Sequence, residues 1–152
     1  MIVYRITRAV HQELDGEGAR RSGGRWNSPG VPVVYASGTR ALAALEYLVH
    51  IDIDEVPDDL VLLSVEVPDE LLVEEVADSV MDRKTRSAEQ RAAGDAWAKS
   101  GSAVVLSVPS GLIPEERNYV LNPRHPSVRG VRIVHARSFV FDERLWTRTD
   151  LR

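Results

Sequence analysis

The chain contains no cysteine, so a disulfide framework, a thiolate nucleophile and a thiolate metal site are all excluded. It has no run approaching the roughly 18 apolar residues of a membrane span, and its opening MIVYRITRAV lacks the long apolar centre of a signal peptide. The expected location is the cytoplasm, with no membrane contact. Basic charge is not in excess either: 19 Lys and Arg are scattered among 23 Asp and Glu, for a formal net charge of -4. That balance argues against direct nucleic-acid binding, although a local arginine cluster still suits a small anion. The four histidines, His11, His50, His125 and His135, form neither H-x-x-x-H nor H-x-H, so no metal is expected. Low-complexity tracts, internal repeats and linkers are missing as well.

What remains is the composition of an ordinary globular domain, 43% hydrophobic and 28% charged over 152 residues. A chain of this length buries roughly two-thirds of its unfolded surface, which is enough for one core, and residues 1–152 read as a single domain. MIVYRIT is rich in β-branched residues and alternates, predicting a strand, followed by a polar loop from Gln12 to Gly24. VPVVYAS predicts a second strand. SGTRALAALEYLVHID then predicts a helix, with Ser37 or Thr39 as N-cap and Leu42, Leu45, Leu48 and Val49 on one stripe. DLVLLSVEVP predicts a third strand, whereas DELLVEEVADSV reads equally as a helix or as a short strand with a loop. Ser87 to Lys99 predicts a surface helix stopped by Ser100-Gly101. SAVVLSVPS and NYVLNP predict further strands, and GVRIVHARSFVFDERL predicts one strand or a hairpin. Strands interrupted by two helices make an α+β domain with flanking helices.

The chemistry concentrates in a few places. In GGRWNSPG, residues 23–30, glycines flank Arg25, so backbone N–H groups and a forked guanidinium can approach an anion together. Trp26 is either a core anchor or a stacking surface. Tyr35 ends a strand, where its ring packs and its hydroxyl needs a partner. Glu46 lies about 40° from Leu42 around the helix, so it borders the buried stripe and needs either an ion-pair partner or a purpose. His50, one turn further on, is either such a partner or a solvated helix end. Ser110 sits where a strand gives way to a turn, but no G-x-S-x-G elbow surrounds it, so it is not read as an acyl-transfer nucleophile. Asn118, Asn122 and His125 either orient a ligand or cap turns.

The succession Gly-Gly-Arg-Trp-Asn, Pro-Val-Val-Tyr-Ala-Ser, Ala-Leu-Ala-Ala-Leu-Glu, Val-Pro-Ser and Glu-Arg-Asn-Tyr-Val-Leu-Asn-Pro resembles the RES-domain family, toxin halves of bacterial toxin–antitoxin pairs. The resemblance runs from Tyr4-Arg5 to Phe141-Asp142-Glu143-Arg144 and is weakest over 73–99. It implies an α+β fold like that of the ADP-ribosyltransferase toxins, an activity that breaks down NAD and arrests growth, and neutralisation by an Xre-like helix-turn-helix antitoxin. NAD is then substrate rather than cofactor, with water or inorganic phosphate as acceptor, and a homodimer within a larger toxin–antitoxin complex is the implied assembly. By position, Arg25, Tyr35 and Glu46 are the implied catalytic residues. Arg25, Trp26, Tyr35, Ser110 and Asn118 are the implied substrate contacts: Arg25 on the pyrophosphate, Tyr35 on the nicotinamide ribose, and Ser110 on the nicotinamide amide or ribose. Transfer of ADP-ribose to a macromolecule and noncatalytic nucleotide binding are the competing readings.

Overall fold

The computed structural model describes residues 1–76 and 87–146. Among them are seven strands, β1 (Ile2–Arg8), β2 (Val34–Ser37), β3 (Leu60–Glu66), β4 (Val73–Glu75), β5 (Val105–Pro109), β6 (Arg117–Leu121) and β7 (Arg132–Ser138). Three α-helices accompany them, α1 (Glu17–Ser22), α2 (Arg40–Leu48) and α3 (Ser87–Ser100). The strands form one sheet in the order β4-β5-β6-β2-β1-β3-β7. β4 runs parallel to β5, and every other neighbouring pair is antiparallel. The architecture is therefore α+β with a mixed sheet, as the alternation of strand and helix patterns predicted.

Strand alternation sends apolar side chains to both faces of the sheet. On one face Val3, Val34, Leu63, Val65, Val105 and Leu121 pack into a single cluster. On the other face the core is divided. Trp97 of α3 packs with Leu106, Val108 and Val120, while Ala43 of α2 packs with Ile6, Leu60 and Leu62. Ser37 shares strand parity with Tyr35, and Asn118 with Val120, so both polar residues stand on this divided face.

Several elements differ from expectation, each for a local reason. The loop from Gln12 to Gly24 contains α1, a short helix supported by Glu17 pairing with Arg20 and Arg21. β2 starts at Val34 rather than Val31, because Pro32 lacks the N–H a strand needs. The ambiguous segment supplies β4; its last residues, 77–80, lie outside those described. The tail is one strand, not a hairpin. After β7, Phe139 and Phe141 meet edge to face, and Phe141 stacks near Tyr47 of α2. That aromatic contact turns the chain back onto α2. No helix among the described residues is long and apolar enough to cross a membrane.

Gly94 marks the tightest junction. A β-carbon placed there would lie 1.8 Å from the carbonyl oxygen of Trp26, so α3 rests directly on the backbone of the 23–30 turn. Gly94→Ala is expected to destabilise the fold by about 1–3 kcal/mol or more, because backbone and not a flexible side chain must give way. Gly18→Ala, whose added carbon meets nothing within 4 Å, is the control. Equal thermal unfolding midpoints for the two variants would disprove the close packing.

Candidate active site

The inward face of α2 is set by Leu42 and Ala43, both buried, whereas Leu45 and Val49 are 42% and 55% exposed. The stripe predicted through Leu45 and Val49 is thus rotated, and Glu46 falls between Leu42 and Ala43 around the helix, about 40° from one and about 60° from the other. It is half-buried, as a residue bordering the buried face should be. α2 is held in this orientation by Thr39, whose hydroxyl accepts the N–H of Leu42 at 3.1 Å as N-cap, with Ser37 left to the end of β2.

From there the half-buried Glu46 carboxylate meets the polar part of the sheet. Its Oε1 accepts the Ser110 hydroxyl at 2.7 Å and the Asn118 side-chain amide at 2.6 Å. Its Oε2 has no hydrogen-bond partner among the described residues. Asn118 in turn accepts the Ser37 hydroxyl on Oδ1 at 2.7 Å. The arrangement fixes one carboxylate oxygen and leaves the other uncommitted among the described residues. His50 is exposed and takes no part, so the salt-bridge and histidine-partner readings of Glu46 are both replaced by neutral donors.

Ser110 is 2% exposed, and its hydroxyl is saturated. It donates to Glu46 and accepts the N–H groups of Leu112 and Ile113, each at 3.1 Å. A serine hydroxyl has one proton and two lone pairs. The implied contact of this hydroxyl with the nicotinamide amide or ribose is therefore corrected: it has no remaining capacity, and its role is to hold Glu46.

The Arg25 turn is built with equal care. Asn27 is fully buried and donates its side-chain amide to the carbonyls of Ala19 at 2.8 Å and Val31 at 2.9 Å. Tyr35 donates its hydroxyl to Asn27 Oδ1 at 2.7 Å and accepts the Trp26 N–H at 3.0 Å. Burial pushes the Tyr35 phenol up to about 12, so it stays protonated and donates at any physiological pH. Its hydroxyl thus holds the turn. Ser28 is latched to Asp95 of α3 through both its N–H and its hydroxyl. Trp26 is 2% exposed and packs with Trp97, so its side chain is core and the implied substrate contact is withdrawn.

One expectation about the turn narrows. Its N–H groups were expected to approach an anion, and those of Gly23, Gly24, Trp26, Ser28 and Gly30 are committed within the fold. The Arg25 side chain is not committed in this way. That side chain is exposed and makes no hydrogen bond or ion pair among the described residues. Arg8, Arg20, Arg132 and Arg144, by contrast, are all paired with carboxylates. Arg25 lies against Gly111, where an added β-carbon would come within 2.5 Å of its Cζ. Ser110 on one side of this junction touches Glu46, and Gly111 on the other touches Arg25, while Arg25 and Glu46 form no ion pair with each other.

Asn122 and His125 took the turn-capping alternative: Asn122 Oδ1 accepts the Arg124 N–H, and His125 Nδ1 accepts the Ser127 N–H. Sequence reasoning counted Asn27 among the residues that build the turn, but missed Asp95 and Gly111 as supports. No cluster of three or more His, Asp or Glu that could hold a metal occurs among the described residues.

The model of the RES domain matches residues 2–142. The chain belongs to the RES domain family. A protein of Sphingobium sp. (strain YBL2) named Prs ADP-ribosylating toxin is 39% identical over 139 residues, covering 88% of this chain and 86% of that one. A protein of Pseudomonas putida named Toxin Res is 35% identical over 148 residues, covering 96% of this chain and 100% of its own. In three dimensions this RES domain superposes on a chain of the M. tuberculosis MbcT–MbcA toxin–antitoxin complex with a TM-score of 0.73 at 19% identity, over 91% of this chain and 84% of that one. The last comparison speaks to the fold.

Proposed function

We propose that this RES domain is the toxin of a toxin–antitoxin pair and that it cleaves the nicotinamide–ribose bond of NAD. One observation carries the reading. An arginine and a carboxylate oxygen, both without partners among the described residues, flank the same Ser110-Gly111 turn without neutralising each other. A ligand that is anionic at one part and becomes cationic at another suits this pair.

In the reaction, the C–N bond to nicotinamide breaks, and its electron pair returns to the ring nitrogen. Nicotinamide leaves neutral, so no general acid is required. The ribose becomes oxocarbenium-like, and Glu46 Oε2 faces that developing charge; a fixed anion at such a point lowers the barrier most. Arg25 holds the pyrophosphate with forked, charge-assisted hydrogen bonds. Water then completes ADP-ribose with loss of a proton, or inorganic phosphate completes ADP-ribose 1''-phosphate. Tyr35, Asn118 and Ser110 keep the two charged groups in place.

The named relative from Sphingobium favours a second reading, transfer of ADP-ribose to a macromolecule. Both readings use the same Arg25 and Glu46, and they differ in the acceptor. Purified protein incubated with NAD, with and without phosphate, decides between them: free ADP-ribose or its 1''-phosphate is expected. Label appearing in protein, without free product, would select the transferase. Expression without an antitoxin is expected to lower cellular NAD and stop growth, and arrest at unchanged NAD would count against NAD breakdown and favour the transfer reading. Fold likeness to a toxin–antitoxin complex and the family resemblance support an antitoxin partner of the Xre-like helix-turn-helix type.

A further inference from the structure

We infer that Ser37 is a positioning residue for Glu46, acting through the side-chain amide of Asn118. The inference rests on Glu46 being the working carboxylate of the proposed reaction. Ser37 is 4% exposed, at the end of β2, and lies opposite Asn118 of β6 in the antiparallel register. Its hydroxyl donates to Asn118 Oδ1 at 2.7 Å, and the other end of the same amide donates to Glu46 Oε1 at 2.6 Å.

The two ends of an asparagine amide are nearly identical in shape and opposite in hydrogen-bonding sense. Only the partners decide which end points where. If the amide were turned over, Oδ1 would face the Glu46 carboxylate, acceptor against acceptor, and Nδ2 would face Ser37. A serine able to donate makes the productive orientation satisfied at both ends. Without that hydroxyl Oδ1 of the half-buried Asn118 loses its donor within the fold, so the amide loses its reason to stand still. Glu46 Oε1 would then be held by Ser110 alone, and rotation of the carboxylate would carry Oε2 away from its place. Ser37 touches no ligand in this scheme. It acts at one remove, through an amide that spans from sheet to helix.

The test has two readouts. In the first, the side-chain NH2 signals of Asn118 are followed by 1H–15N NMR in the protein without ligand, identified by their loss in Asn118→Ala. Ser37→Ala is expected to move these signals toward free-amide positions and to speed their exchange with water, while Ser37→Thr, which keeps the hydroxyl, leaves them near the wild-type positions. In the second, Ser37→Ala is expected to lower kcat for NAD by about fivefold with KM within about twofold, the loss of one neutral hydrogen bond's worth of alignment. Ser37→Thr restores kcat, and Ser37→Cys, a weaker donor of similar volume, falls between. Unmoved Asn118 signals in Ser37→Ala overturn the inference, as does a raised KM at constant kcat. If the wild-type protein does not consume NAD, the proposed reaction fails, and the NMR readout still decides whether Ser37 orients Asn118.

Discussion

Glu46→Gln is expected to lower NAD turnover by about 100-fold or more while changing NAD affinity little, because the charge acts chiefly on the transition state. Gln keeps nearly the same volume and helix position. Its side-chain oxygen can still accept from Ser110 and Asn118, as Oε1 does now. The NH2 group then stands where Oε2 stood, so the developing cation meets a donor instead of an anion. The fold is expected to survive, since both existing bonds are kept and no buried ion pair is broken. Thermal unfolding and turnover measured on one sample separate the outcomes. A variant destabilised by roughly 1–3 kcal/mol yet fully active per folded molecule would mean that Glu46 only anchors α2, and the catalytic assignment would fall.

Arg25→Ala is expected to weaken NAD binding by about tenfold or more, since each charge-assisted bond to phosphate contributes about 1.5–3 kcal/mol. The natural control is Arg40→Ala. Arg40 is also exposed, but its guanidinium already lies over the Tyr4 ring, 4.4 Å from the centroid. The Arg25 side chain has no such attachment, and the turn beneath it is secured by Asn27, Tyr35 and Asp95 rather than by Arg25 itself. Removing it should therefore leave stability almost unchanged. Equal losses of NAD affinity in both variants would make Arg25 ordinary surface.

Much of the fold was legible because its signals are local. β1, β3 and α3 follow from alternation, β-branched runs and a Ser-Gly stop, and the turn at Arg25 follows from its glycines. The inward face of α2 was not legible in the same way. Leu45 and Val49 are as apolar as Leu42, and periodicity alone cannot tell which of several overlapping stripes meets the sheet. That choice was made by the polar seam: Glu46 finds two donors only if α2 turns it inward. The site residues were recognisable by type, but their division of labour was not. Ser110 and Tyr35 carry hydroxyls that sequence reasoning directs toward a ligand. Whether a hydroxyl is already saturated depends on groups far along the chain, such as Glu46, 64 residues from Ser110. Ser37 drew notice only as an alternative N-cap, since nothing in Tyr-Ala-Ser reveals the asparagine opposite it on another strand.

The neutrality of the groups around Glu46 has a consequence for which redox form of a dinucleotide is accepted. A hydroxyl and an amide orient the carboxylate without cancelling its charge, and no cation among the described residues pairs with it. The site on the proposed reading therefore has poles, positive at Arg25 and negative at Oε2. Oxidised NAD has matching poles in reverse, an anionic pyrophosphate and a pyridinium ring bearing positive charge. The reduced dinucleotide keeps the first and lacks the second. A site that orients its ligand by opposed charges thus discriminates against the reduced form before any bond is broken, and directs the oxidised form in one sense only, ring toward Glu46 and phosphates toward Arg25.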